Sequence, residues 1–117
     1  MAEKLPPFDS DAEEAVNGSL LIDGSCFKDI SGILEAGDFL SAPNKSIFAA
    51  ACALFERGVT IDIITVKQEL DMSGVLAKVG GVAYLNSLMA ATPTSLDARY
   101  YAEIVKRLSV FRQLITV

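Results

Sequence analysis

Histidine is absent from the 117 residues, and the two cysteines, Cys26 and Cys52, stand apart without CxxC spacing. These absences argue against a zinc site and against any His-dependent catalytic centre. Two isolated thiols among apolar neighbours suit a reducing cytosol and packed interior positions. A basic field is missing as well. The formal net charge is −5, so the chain has little with which to neutralise phosphates, and little or no direct nucleic-acid binding is expected. No phosphate loop occurs: Gly80-Gly81 is followed by Val82-Ala83 rather than Gly-Lys-Ser/Thr, and it fits a turn that starts a helix. No apolar run reaches the roughly 20 residues that a membrane span requires. No signal peptide is visible, because Met1-Ala2-Glu3-Lys4 leads into proline and acidic residues. The expected location is therefore the cytoplasm, with no membrane partner.

What is present is an interior. Apolar residues make up 51% of the chain and charged residues 21%, enough for one globular domain and too apolar for disorder. The organising stretch is Asn44–Gly58, in which Ala, Leu, Phe and Cys fill nearly every position between polar ends. Pro43 and Asn44 before it and Gly58 after it are helix start and stop residues. A helix apolar on almost all faces belongs at the centre of a domain, with Phe48 and Phe55 as its anchors.

Around that helix the chain divides into an extended lead-in over 1–8, a globular helical domain over 9–93 and a C-terminal helix over 94–117. Asp9 or Ser10 caps a first helix running to Ile22, with Asp9, Asp11, Glu13 and Glu14 crowding its first turn, where the dipole favours negative charge. Gly18 falls inside this helix and marks a close-packing point. Ser25 caps a second helix carrying Phe27, Ile30, Ile33 and Leu34, which Gly37 stops. The β-branched Val59–Val66 has no partner strand, so Asp62 is expected to cap a helix to about Asp71, holding Ile63, Val66 and Leu70. Val75–Val79 is a connection. Gly80-Gly81 opens a helix with Tyr84, Leu85, Leu88 and Met89, ended by Thr92-Pro93. Thr94 or Ser95 caps the last helix, with Asp97 in its first turn. The fold class is all-α: a compact orthogonal multi-helix bundle followed by a long C-terminal helix.

No catalytic, cofactor-binding or metal-binding residue stands out. The acidic first turn lacks the Asp/Asn and Gly pattern of a calcium loop, and Glu13 and Glu14 point about 100° apart on a helix. Arg99, Lys106, Arg107 and Arg112 fit a solvated face. The last helix carries an apolar stripe of Tyr101, Ile104, Val105, Leu108, Phe111 and Ile115, still running where the sequence stops, as at a fragment boundary. Its members Tyr101, Ile104, Leu108, Phe111 and Ile115 are the candidate protein-interface residues.

The order of short motifs is specific where each alone is weak. Pro7 and Asp11-Ala12-Glu13-Glu14-Ala15-Val16-Asn17-Gly18-Ser19-Leu20-Leu21 are followed by Asp38-Phe39-Leu40. Then come Ile47-Phe48 with Ala50 and Leu54, and Ile61-Asp62 with Thr65-Val66 and Leu70. Gly80-Gly81-Val82-Ala83-Tyr84-Leu85, Thr92-Pro93-Thr94-Ser95 and Tyr101-Ala102 complete the series. From about Pro6 to Leu114 the chain resembles the N-terminal domain of the bacterial replicative DNA helicase, the DnaB family. It departs at Asn17, where Leu is common, at Asn44, where His is common, and at Asp97, where Asn is usual. The resemblance implies an all-helical domain followed by a helical hairpin, of which Ser95–Val117 would be the first arm. It implies a collar on a hexameric ring whose motor, using ATP and Mg2+, lies elsewhere and unwinds DNA. It further implies self-association (a dimer of this piece) and contacts with primase and a helicase loader, with no cofactor here. Other readings remain: the helicase-binding C-terminal domain of primase, which is similar in shape, an unrelated helical interaction module, and a small helical enzyme or ligand-binding protein.

Overall fold

Three of the longer helices begin where a short polar side chain takes up an orphan amide. In the computed structural model, which describes residues 6–115, Asp9 accepts from Ala12 N at 3.0 Å and starts α1 (Ser10–Ile22). Ser41 caps α3 (Ala42–Glu56), with Pro43 in its first turn. Asp62 and Thr65 exchange side chain-to-backbone bonds in a capping box at the start of α4 (Ile63–Met72). Gly80, with φ at 107°, makes the left-handed turn into α6 (Gly81–Ala91) that a side-chain-bearing residue rarely adopts. The remaining helices are α2 (Phe27–Ile30), α5 (Leu76–Val79) and α7 (Ala98–Ile115), and among the described residues there is no strand. Parts 1–5 of the expected lead-in and 116–117 of the expected last helix lie outside the described residues.

Three local expectations are corrected. The second helix is far shorter than its periodicity predicts. Asp23, not Ser25, takes the capping role, accepting from Ser25 N at 3.1 Å to open a 3-10 turn over Gly24–Cys26. Helix α2 then ends within one turn, at Ile30, whose carbonyl accepts from both Ile33 N and Leu34 N as the chain turns away. Phe27, Ile30 and Leu34 still face inward, so the apolar spacing is met by a turn instead of a long helix. Residues 76–79, expected as a connection, form the single helical turn α5. The last helix starts at Ala98: Thr94 Oγ1 accepts from Leu96 N in the preceding turn, and Asp97 O receives the first helical bond, from Tyr101 N.

Helix α1 packs along both α6 and α7, while α3 lies against α1, α4 and α5. The two share the centre; α3 does not hold it alone. Ile47, Phe48, Ala51 and Leu54 of α3 are buried, but Lys45, Ala49 and Phe55 face out. Alanine is a strong helix former on either face, so its density signalled helix rather than all-round burial. Phe48 is fully enclosed, its ring 4.9 Å from Phe39 and 5.7 Å from Phe27. Phe55 is 42% exposed, its ring 4.7 Å from Phe27 at the edge of the interior, so it is not a core anchor. Gly18 is the close approach of α1 to α6: an added Cβ would meet Leu88 O at 2.7 Å and press still closer on Thr92 Oγ1.

Polar stitches join what apolar packing brings together. Glu13 does not merely serve the helix dipole. It is buried and accepts from Leu40 N at 2.8 Å and Ser41 N at 3.1 Å, fixing the loop that leads into α3. Asn17 Nδ2 donates to both the carbonyl and the side-chain oxygen of Asn44, and Asn44 Nδ2 donates to Tyr84 OH and Ser41 Oγ. Asp38 is buried in a 3-10 turn (Ala36–Asp38) and accepts from Glu35 N at 2.8 Å, Ser109 Oγ at 2.7 Å and Lys106 Nζ at 3.2 Å. Arg112 donates to Asp38 O at 2.6 Å and Pro7 O at 2.9 Å. Lys106 and Arg112 therefore depart from the expected solvated face and fasten α7 to the body. Of the four basic residues considered, Arg99 does keep a surface pairing, with Glu103 at 3.5 Å. Burial pushes the Asp38 carboxyl up, but hydrogen bonds from Glu35 N, Ser109 and Lys106, with the Lys106 charge, outweigh it and leave it below the ordinary carboxylate value.

Two outcomes are expected. Phe48→Ala should destabilise by about 3–5 kcal/mol, and Phe55→Ala by about 1 kcal/mol, in urea unfolding; equal losses would contradict the assignment of only Phe48 to the interior. The lowered Asp38 pKa also has a definite sign. A folded-state value below the unfolded one gives stability that is present above the unfolded pKa and lost as pH falls through the folded one. The stability gap between wild type and Asp38→Asn should thus be widest above about pH 5 and close below the ordinary carboxylate range near 4. Urea midpoints for both proteins across acid pH check it; a pH-independent gap would rule it out.

Candidate protein interface

Helix α7 is two-faced, and the division follows its 100° angular step. Ala98, Ala102, Val105 and Ser109 recur every three or four residues and are buried. All four are small, which lets the α7 backbone lie close against α1. On the outward side fall Tyr100, Phe111, Leu114 and Ile115. Phe111 is 50% exposed, Ile115 54% and Leu114 69%. Apolar residues grouped on one outward face are not what a solvated helix shows.

The five residues expected at an interface are distributed as follows. Phe111 and Ile115 lie on the open surface. Tyr101 and Ile104 are half-buried and pack against the core, and Leu108 is half-buried on the flank between the two faces. Val105 leaves the sequence-level stripe altogether and joins the core. Tyr100 and Leu114 also belong to the outward strip, outside the stripe that the sequence spacing picks out. The signal that separates the faces is the line of small residues Ala98-Ala102-Val105-Ser109: once it is assigned inward, the large apolar residues opposite it must face out. The helix stays attached well past Val105, since Ser109 is buried and Arg112 is held by Asp38 and Pro7.

Beside this strip, α1, the end of α6 and α7 enclose an open groove of about 270 Å³, floored by Ala12, Ala15, Ala91, Pro93, Tyr101 and Ile104 and rimmed by Asp9 and Asp11. No charged pair or nucleophile converges there. Both cysteines are poorly suited to reaction: burial, helped by the charges of Asp23 and Asp29, pushes the Cys26 thiol up to about 11, and burial also raises Cys52. Among the described residues no group of three or more His, Cys, Asp or Glu side chains is placed to hold a metal ion, and no helix is long and apolar enough to cross a membrane.

The family model described as the DnaB-like helicase N terminal domain matches residues 5–107. The replicative DNA helicase DnaB of Geobacillus stearothermophilus is 40% identical over 97% of this chain, which spans 25% of that protein. Other curated relatives, from Mycobacterium leprae and Bacillus subtilis, are likewise spanned to a quarter of their length or less. The crystal structure of the N-terminal domain of DnaB helicase from Mycobacterium tuberculosis superposes with a TM-score of 0.91 at 36% identity, covering 95% of this chain and 80% of that one. A domain described with its interactions with primase, from the DnaB helicase of Helicobacter pylori, shares the fold at a TM-score of 0.70 and 24% identity, over 89% of this chain and 80% of that one. With most of its length matched by the family model and its helices superposing on a solved member, the chain belongs to the DnaB-like helicase N-terminal domain family.

Proposed function

We propose that this domain is an assembly and partner-docking module of a replicative DNA helicase, and that it associates through the outward face of α7. The observation that carries the reading is the split of α7 into an inward line of small residues and an outward apolar strip containing Phe111, Leu114 and Ile115. The simplest arrangement is a two-fold dimer, in which the same strip faces itself. Tyr101, Ile104 and Leu108 would border the contact and Phe111 and Ile115 would fill it. In a full-length protein the pairs would build a hexameric collar, and the ATP- and Mg2+-dependent motor that unwinds DNA would lie in the remaining three quarters. Membership of the helicase family favours this reading over the helicase-binding domain of primase. Primase is the proposed partner because the Helicobacter relative is described with its interactions with primase; a helicase loader is the second.

The test is the oligomeric state in solution. Light scattering should show a concentration-dependent dimer for the wild type and a monomer for Phe111→Asp, since an unpaired charge in the contact is costly to bury. Circular dichroism should be unchanged, because Phe111 is half-exposed. A wild type that stays monomeric up to millimolar concentration would defeat the reading. Separately, anisotropy with single-stranded or forked DNA at about 150 mM salt should give no binding tighter than the roughly micromolar limit of non-specific association, and the purified chain should hydrolyse no ATP.

A further inference from the structure

We propose that the polar clasp around Asp38 sets the direction of the outer half of α7, and with it the geometry in which the outward strip meets a second copy; the latter half rests on the self-association reading above. Apolar attachment of this helix ends early. Among the described residues, no α7 residue beyond Val105 belongs to the apolar core or packs against it as a partly buried neighbour. What holds the helix from there on is a set of polar contacts. Lys106, Ser109 and Arg112 recur at three-residue steps on one side, and each bonds to Asp38: Lys106 and Ser109 to its carboxylate, Arg112 to its carbonyl.

The clasp converges on one residue that is itself braced. Asp38 accepts from Glu35 N, and the chain two residues further on is pinned by Glu13 through Leu40 N and Ser41 N. The direction of α7 is thereby referred to α1 through a hydrogen-bonded loop. Apolar packing is non-directional and tolerates sliding, whereas charge-assisted hydrogen bonds fix angle as well as distance. Arg112 also donates to Pro7 O, so the segment before α1 enters the same clasp. A disturbance of that segment would be felt at the strip without touching it.

The strip residues Phe111, Leu114 and Ile115 lie on the face away from Asp38, so Asp38→Asn alters the clasp and leaves the contact surface intact. Hydrogen exchange on the 117-residue chain, at a concentration where it is monomeric, reads the clasp directly. The amides of residues 107–112 should exchange about tenfold faster in Asp38→Asn and about threefold faster in Ser109→Ala, while those of Val16 and Phe48 keep their protection, the pattern of local rather than global opening. Unchanged exchange in residues 107–112, or a uniform increase throughout the chain, would overturn the clasp. Should Asp38→Asn fail to fold, Ser109→Ala alone decides by the same criterion. Sedimentation of the same proteins at higher concentration reads the second half: the dimer dissociation constant should rise about tenfold in Asp38→Asn. An unchanged constant alongside loosened α7 amides would overturn the link to association. A monomeric wild type would remove the self-association reading and leave the exchange result to judge the clasp.

Discussion

Two amides accepted by one buried carboxylate hold this domain in register. Glu13 reaches from the first turn of α1 to Leu40 N and Ser41 N, donors that would otherwise be stranded where the chain turns into α3. A buried carboxylate is tolerated only when such donors surround it, so the bond fixes the loop as firmly as it settles the charge. From that loop follow the start of α3, which Ser41 caps, and the placement of Asp38, to which α7 is fastened. Three helices distant in sequence are oriented by one short segment. Apolar burial supplies the driving force, but these polar contacts select one arrangement among those that would bury similar area.

The same economy appears in α7. A helix can serve a core and an assembly contact at once only if the two demands fall on different faces. Ala98, Ala102, Val105 and Ser109 satisfy the first with little side-chain volume, so the large residues remain for the second. This also explains why fastening passes to Lys106, Ser109 and Arg112 beyond Val105: polar contacts at the edge of the body can hold the helix without spending the apolar strip. An ordinary surface helix would place its large residues inward and its charges outward. Here two of the charges, Lys106 and Arg112, turn to the loop, and the outward apolar residues are left uncovered.

Much of the architecture was legible in the sequence because caps and breakers act locally. Asp9, Asp62, Gly80 and Thr92-Pro93 mark real helix boundaries, and the strand-like Val59–Val66 yields to Asp62 because a capping box needs only Thr65, three residues on. Gly18 was legible as a close contact because nothing else explains a glycine inside a helix. What could not be read was anything decided between segments distant in sequence. Glu13 looks like a dipole residue until the loop 27 positions away presents two amides, and Lys106 looks solvated until Asp38 lies beside it. The short α2 failed for a related reason: inward spacing of Phe27, Ile30 and Leu34 is compatible with a long helix, and only the double acceptance at Ile30 O closes it. Exposure of Phe55 was hidden too, since an alanine-rich helix gives few polar markers of its outer face.

The interface was half legible for the same reason, because Phe111 and Ile115 stand out by hydrophobicity whereas Tyr100 and Leu114 emerge only when the inward line is known. The departures from the family pattern show the complementary case, in which distant contacts make sense of two odd residues together. The resemblance implies Leu at position 17 and His at position 44, and separately Asn17 and Asn44 would each put an amide into a buried position at a cost. They lie against each other: Asn17 donates at 3.0 Å to the Asn44 side-chain oxygen and at 3.1 Å to its carbonyl, while Asn44 donates onward to Tyr84 and Ser41. Replacing Asn17 by Leu would strip the Asn44 side-chain oxygen of this donor, and replacing Asn44 would deprive the Asn17 amide of its side-chain acceptor, an outcome more costly than losing both partners together. The two departures are therefore one feature, a polar tie between α1 and α3 that also reaches α6, and they bear on how this interior is joined rather than on what its surface does.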